Sequence, residues 1–148
     1  MSFFGSLDVS ASGLTAQRLR MDVTAENLAN AQTTRTAQGG PYRRKEVVLE
    51  QSAPGGFGAS LASAMGGTGS SAPGGVEVAG IVEDASNFKT VYDPGHPDAD
   101  ARGYVRMPNV DTVTEMTDLI SASRAYEANV TAMQTAKQMF SKTLDLLR

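Results

Sequence analysis

From Val110 to Arg148 the chain contains neither glycine nor proline, and its apolar residues recur at spacings of three and four. That period lays one apolar stripe along an α-helix. Met116, Leu119, Tyr126, Val130, Met133, Phe140, Leu144 and Leu147 form the stripe, and Ser123 and Lys137 are its only breaks. At 1.5 Å per residue this helix would extend roughly 50 Å, further than a small compact domain can wrap. A helix of that length is expected to pack in a coiled-coil-like way. Its start is marked by Pro108-Asn109-Val110-Asp111-Thr112, where Asn109 or Asp111 can cap and Thr112-x-x-Glu115 reads as a capping box.

The partner surface is sought at the other end. From Phe4 to about Asn30, small or apolar residues fall at Phe4, Leu7, Ala11, Leu14, Met21, Ala25 and Leu28, with Arg18 interrupting. Ser12 and Gly13 weaken this helix, since a glycine costs about 1 kcal/mol against alanine inside one. Such a helix is marginal alone and is expected to draw its order from a second apolar stripe.

Between the helices the composition changes. Tyr42–Glu50, Val76–Asp84, Phe88–Tyr92 and Gly103–Met107 read as short strands, with turn signals at Gly39-Gly40-Pro41 and Asp93-Pro94-Gly95. Residues 51–75 carry no charge and are crowded with Gly, Ser, Ala and Pro, the composition of a flexible loop. The expected fold is α+β. Long terminal helices pack as an antiparallel coiled-coil-like pair around a small antiparallel β region and a long Gly-rich loop. The expected segments are 1–34, 35–108 (with the loop at 51–75) and 109–148.

Little chemistry is offered. The net charge is −3, and the one basic cluster, Arg43-Arg44-Lys45, is too small for a nucleic-acid footprint. That cluster reads either as a solvated strand start or as a contact for an anionic partner. The chain has no cysteine, so neither a disulfide nor a thiolate metal site is available. Its single histidine, His96, lies among Asp93, Asp98 and Asp100, but the glycine and two prolines make this a turn without calcium-loop spacing. No nucleophile–base constellation and no phosphate loop is present. The expectation is no enzyme, no catalytic residue, no cofactor, no metal and no membrane span.

The residues then become specific. Ser12-Gly13-Leu14, Met21-Asp22-Val23 and Glu26-Asn27-Leu28-Ala29-Asn30-Ala31-Gln32-Thr33 resemble the N-terminal signature of the flagellar rod and hook family, with Ala29, Asn30 and Thr33 matching its helix-ending motif. Pro108-Asn109-Val110-Asp111 and Ala122-Ser123-Arg124-Ala125-Tyr126-Glu127 resemble its C-terminal helix start. Asp93, Pro94, Gly95, His96 and Pro97, followed by Gly103-Tyr104-Val105, narrow the resemblance to the proximal rod.

That resemblance implies a structural subunit of the flagellar basal body, assembled helically in the periplasmic rod, passing torque to the hook and walling the export channel. It implies inner-tube terminal helices with the β region outside. The implied neighbours are further copies of the chain, the rod proteins FlgB, FlgF and FlgG, and the junction protein FliE. Delivery would be by the flagellar type III export apparatus, for which Phe3-x-x-x-Leu7 resembles an export signal. The alternative expectation is a soluble binding or effector protein that only borrows the same secretion route.

Overall fold

The computed structural model describes residues 3–52 and 74–146. Most of the Gly-rich loop at 51–75, Leu147 and the side chain of Phe3 lie outside the described residues. The order of elements is α1 (Phe3–Ala29), β1 (Lys45–Gln51), β2 (Val76–Glu83), β3 (Lys89–Tyr92), β4 (Tyr104–Met107) and α2 (Thr112–Leu146). The protein is thus α+β, two helices at the termini with small sheets between them. Among the described residues no helix is long and apolar enough to cross a membrane.

The strands form two two-stranded sheets, β1 with β2 and β3 with β4. In the second, Lys89 pairs with Met107 and Tyr92 with Tyr104, antiparallel. The first is antiparallel too: the Ser52 N–H donates to the Gly75 carbonyl at one end, and the Asp84 N–H to the Arg44 carbonyl at the other. The strand expected from Tyr42 begins only at Lys45, because the Tyr42 N–H donates back to the Thr33 carbonyl and holds the chain in a turn.

Contacts divide the chain into two compact units. The first gathers Met1–Arg18, Leu49–Ala79 and Ser123–Arg148. Ala16 is its fully buried apolar residue among those described. A Cβ at Gly13 would come within 3.2 Å of the Asn129 side chain, so here α1 and α2 meet at a glycine. The Val76 N–H donates to Ser12 Oγ at 3.0 Å, which fastens the start of β2 to α1.

The second unit gathers Leu19–Val48 and Gly80–Ala122. Val23, Tyr42, Val105, Val110 and Ala122 are buried in it, together with the polar residues Thr24, Asn27 and Glu115. Both expected helix stripes therefore sit beside the true centre rather than on it. On α1 the buried positions are Ala16, Val23, Thr24 and Asn27, while Leu7, Leu14, Met21 and Leu28 are half-buried flanks and Ala11 and Ala25 are exposed. On α2 the buried positions are Glu115 and Ala122, while Leu119, Tyr126, Val130 and Met133 are half-buried and Met116, Phe140 and Leu144 are exposed. Small and polar residues occupy the centre because a small side chain lets backbones approach, and a polar one is tolerated there when fully hydrogen-bonded.

Candidate functional site

Asn27 is the hub of the second unit. It is 1% exposed, and its amide uses every hydrogen-bonding position it has. Nδ2 donates to the Lys45 carbonyl at 2.8 Å and to Glu115 Oε2 at 3.0 Å. Oδ1 accepts from the Lys45 N–H at 2.9 Å and from the Tyr42 hydroxyl at 3.0 Å. Toward Lys45 the side chain thus imitates a neighbouring β-strand, taking one N–H and supplying one donor. The last turn of α1 holds the first residue of β1 in this way.

Glu115 completes the junction from α2. It is also 1% exposed, and its other oxygen accepts from Arg44 Nε at 2.6 Å. That hydrogen bond stabilises the charged guanidinium and raises its pKa above the ordinary arginine value. Arg44 also lies 3.6 Å from Asp118 and 3.7 Å from Glu46. A buried carboxylate persists only where its lone pairs are met by donors, and here both oxygens are met. Burial, with Glu26, Glu115 and Glu83 nearby, pushes the Tyr42 hydroxyl up to about 12.

The expected capping box is corrected by this geometry. Asp111 is the cap, with its Oδ1 accepting from the Val113 N–H at 3.0 Å. Glu115 lies one residue too far along the helix to reach back, and its oxygens go to Arg44 and Asn27 instead. Asn109 caps nothing. Its amide oxygen accepts from the Arg44 N–H at 2.8 Å, and its Nδ2 donates to the Asp84 carbonyl and to Ser86 Oγ.

The basic cluster is spent internally. Arg43 donates to the Asp84 carbonyl at 2.9 Å and stacks 4.6 Å from the Phe88 ring centre. Lys45 Nζ pairs with Glu26 at 2.6 Å. All three cations make contacts inside the second unit.

The motif residues build turns. Asn30 Nδ2 donates to the Glu26 carbonyl at 2.9 Å, and Thr33 Oγ1 donates to Asn30 Oδ1 at 3.1 Å, closing the chain as α1 ends at Ala29. Asp93 Oδ1 accepts from the Gly95 N–H at 3.1 Å. His96 Nδ1 accepts from the Asp98 N–H at 3.1 Å. Asp100 Oδ1 accepts from the backbone of Arg102 and Tyr104. Pro94 and Pro97 lie exposed in this turn, which joins β3 to β4.

Known proteins are similar to this chain in sequence along its whole length. Residues 7–35 match the family described as flagella basal body rod protein, and residues 101–146 match the family described as flagellar basal body rod FlgEFG protein C-terminal. The flagellar basal-body rod protein FlgC of Bacillus subtilis is 55% identical over 150 residues, covering 99% of each chain. That of Borreliella burgdorferi is 45% identical over 155 residues, covering 100% of this chain and 99% of its own. The Escherichia coli FlgC is 46% identical over 147 residues, covering 99% and 98%.

The chain belongs to the FlgC family of flagellar basal-body rod proteins. As a member it is a structural subunit of the basal-body rod, a family whose proteins assemble with themselves and with other rod components. Within this FlgC-family chain, the two matched segments are joined by the Asn27–Glu115 hydrogen bond and by an ion pair of Arg20 with Asp118 at 3.6 Å. In the sequence Asn27 stands out only as part of the family signature, because it interrupts no spacing rule. The signal was there: it stands four residues after Val23 on the buried face, where a polar side chain demands a partner.

Proposed function

We propose that this chain is a subunit of the proximal rod whose terminal segments, 1–34 and 109–148, pair as an antiparallel coiled coil in the inner tube. Gly13 beside Asn129 and Asn27 bonded to Glu115 both support that pairing. Segment 35–108 faces outward. Its neighbours are further copies, FlgB, FlgF, FlgG and FliE, and the assembled wall transmits torque and lines the export channel. Phe3 and Leu7 serve as the export signal by which the flagellar type III system delivers the chain.

The observation that carries this reading is the apolar surface left on α2. Met139 is 63% exposed and Leu144 51%, on a segment whose unit buries few apolar side chains of its own. Apolar groups so placed gain their burial from neighbouring subunits. Leu144 and the other stripe residues, from Leu7, Leu14, Met21 and Leu28 to Leu119, Tyr126, Val130, Met133, Phe140 and Leu147, are assembly contacts in this reading. Leu144→Asp is expected to stop swimming and rod assembly while the chain is still made. A strain carrying it that swims normally would sink the proposal.

A further inference from the structure

A second surface of this chain, remote in sequence from the helix stripes, has the chemistry of a docking site. In the second unit an open hollow of about 630 Å³ is lined by Thr34, Arg35, Asp98, Arg102, Tyr104 and Arg106, among others. Three guanidinium groups stand at its wall, and all three residues are exposed. None of them makes an ion pair among the described residues, unlike Arg20, Arg44 and Lys45 of the same unit.

The carboxylates in the wall do not balance them. Asp98 Oδ2 accepts the Thr34 hydroxyl at 2.8 Å. Asp100 Oδ1 is occupied by two backbone N–H groups of its own turn. Both acids also hold their turns in shape, and two carboxylates against three guanidinium groups leave the wall net positive. Beside them stand Tyr92 and Tyr104, paired edge to face at 5.3 Å and 64% and 45% exposed.

We propose that this hollow receives exposed carboxylate side chains of a second copy of the chain. Arginine is the side chain best shaped to grip a carboxylate, because its fork makes two parallel hydrogen bonds. Arginine and tyrosine together are the residues enriched where one protein anchors in another, which favours a protein occupant over a small anion. The chain supplies the complementary charge. Its net charge is −3, and Asp8, Asp22, Glu50, Glu77 and Glu127 are exposed carboxylates without an ion pair among the described residues. The segment after α1, the β3–β4 turn and β4 present Arg35, Arg102 and Arg106 in that order, and exposed carboxylates of a neighbouring copy enter. Such a contact adds orientation to a helix seam whose apolar contacts are weakly directional.

This inference rests on the rod-subunit reading, and its test separates the two. A photoreactive residue is placed at Arg102 in an otherwise complete chain, and basal bodies are isolated and illuminated. The expected product is a crosslinked pair of copies of this chain, joined at a segment bearing one of those carboxylates. Arg102→Glu should lower the recovery of assembled rods by about tenfold, since a like charge now faces the partner, and Arg102→Lys should restore most of it. Both variants should melt like the parent, because the Arg102 side chain has no internal partner to lose. A chain that is present in basal bodies but crosslinks only to a different protein, or to nothing, overturns the docking site alone. Normal rod recovery with Arg102→Glu does so too. A chain absent from basal bodies overturns both readings.

Discussion

At the residue scale, the buried amide of Asn27 ties α1 to β1, to Tyr42 and to α2 through four hydrogen bonds. Replacing it by alanine would leave the Lys45 N–H and carbonyl, the Tyr42 hydroxyl and one oxygen of Glu115 without their partner at a single stroke. Buried polar groups stripped of a partner cost about 1–3 kcal/mol each. Asn27→Ala is therefore expected to destabilise the protein by about 3 kcal/mol or more, read as a lower midpoint in urea. Asn27→Asp should fare no better, since it cannot donate to the Lys45 carbonyl and sets a second carboxylate against Glu115. The neighbouring tyrosine gives a pH signature. Its pKa stands near 12 in the folded chain and about 10 when unfolded. Above pH 10 the unfolded chain releases the phenolic proton and the folded chain does not, so stability present below that pH drains away as pH rises toward 12. Melting temperature should fall across this window, and Tyr42→Phe should remove that part of the fall.

At the element scale, the helices and strands were legible in the sequence because period and turn chemistry act locally. The four strands stand within a few residues of where their β-branched and aromatic runs placed them, and α2 begins at the Asp111 cap. What local pattern could not supply was the rotation of each helix. A stripe drawn through the largest apolar residues ran through Met116, which is exposed, and missed Ala122, which is fully buried. Side-chain size marks the flanks of a close helix contact, whereas its centre is marked by what is small. Gly13 makes the point testable. An added methyl would stand 3.2 Å from the amide of Asn129, itself tied to the Ala125 carbonyl at 3.0 Å. Valine at this position is expected to push α1 off α2 in the first unit, at a cost of about 1–3 kcal/mol. If Gly13→Val instead raised the melting temperature, the contact would not be close. The hairpin has a similar pin. Gly103 has φ +81°, a backbone conformation that disfavours other residues, and a Cβ there would lie 2.9 Å from the Tyr92 ring. Gly103→Ala should loosen β3 from β4, seen as faster hydrogen exchange at the Asp93 amide, which donates to the Gly103 carbonyl at 2.9 Å.

At the scale of the whole molecule, the proposed rod subunit would have stability and assembly on different residues, and this separation can be measured. Glu115→Ala removes the buried member of an ion pair and leaves Arg44 with only the longer contacts to Asp118 and Glu46, at 3.6 and 3.7 Å. Breaking a buried pair on one side costs about 3–5 kcal/mol, so the purified chain should unfold at clearly lower denaturant. Leu144→Asp does the opposite. Half of that side chain is already in solvent, and exposed substitutions move stability by about 0.5 kcal/mol or less. The purified Leu144→Asp chain is expected to melt with the parent, yet to be missing from rods, because the charge would enter a surface that only a neighbouring subunit covers. Comparing the two variants by urea unfolding and by rod recovery crosses the two properties. One should lose its fold first, and the other its place in the rod with the fold intact. If Leu144→Asp lowered the unfolding midpoint as far as Glu115→Ala, its side chain would belong to the core of the single chain rather than to the contact between copies.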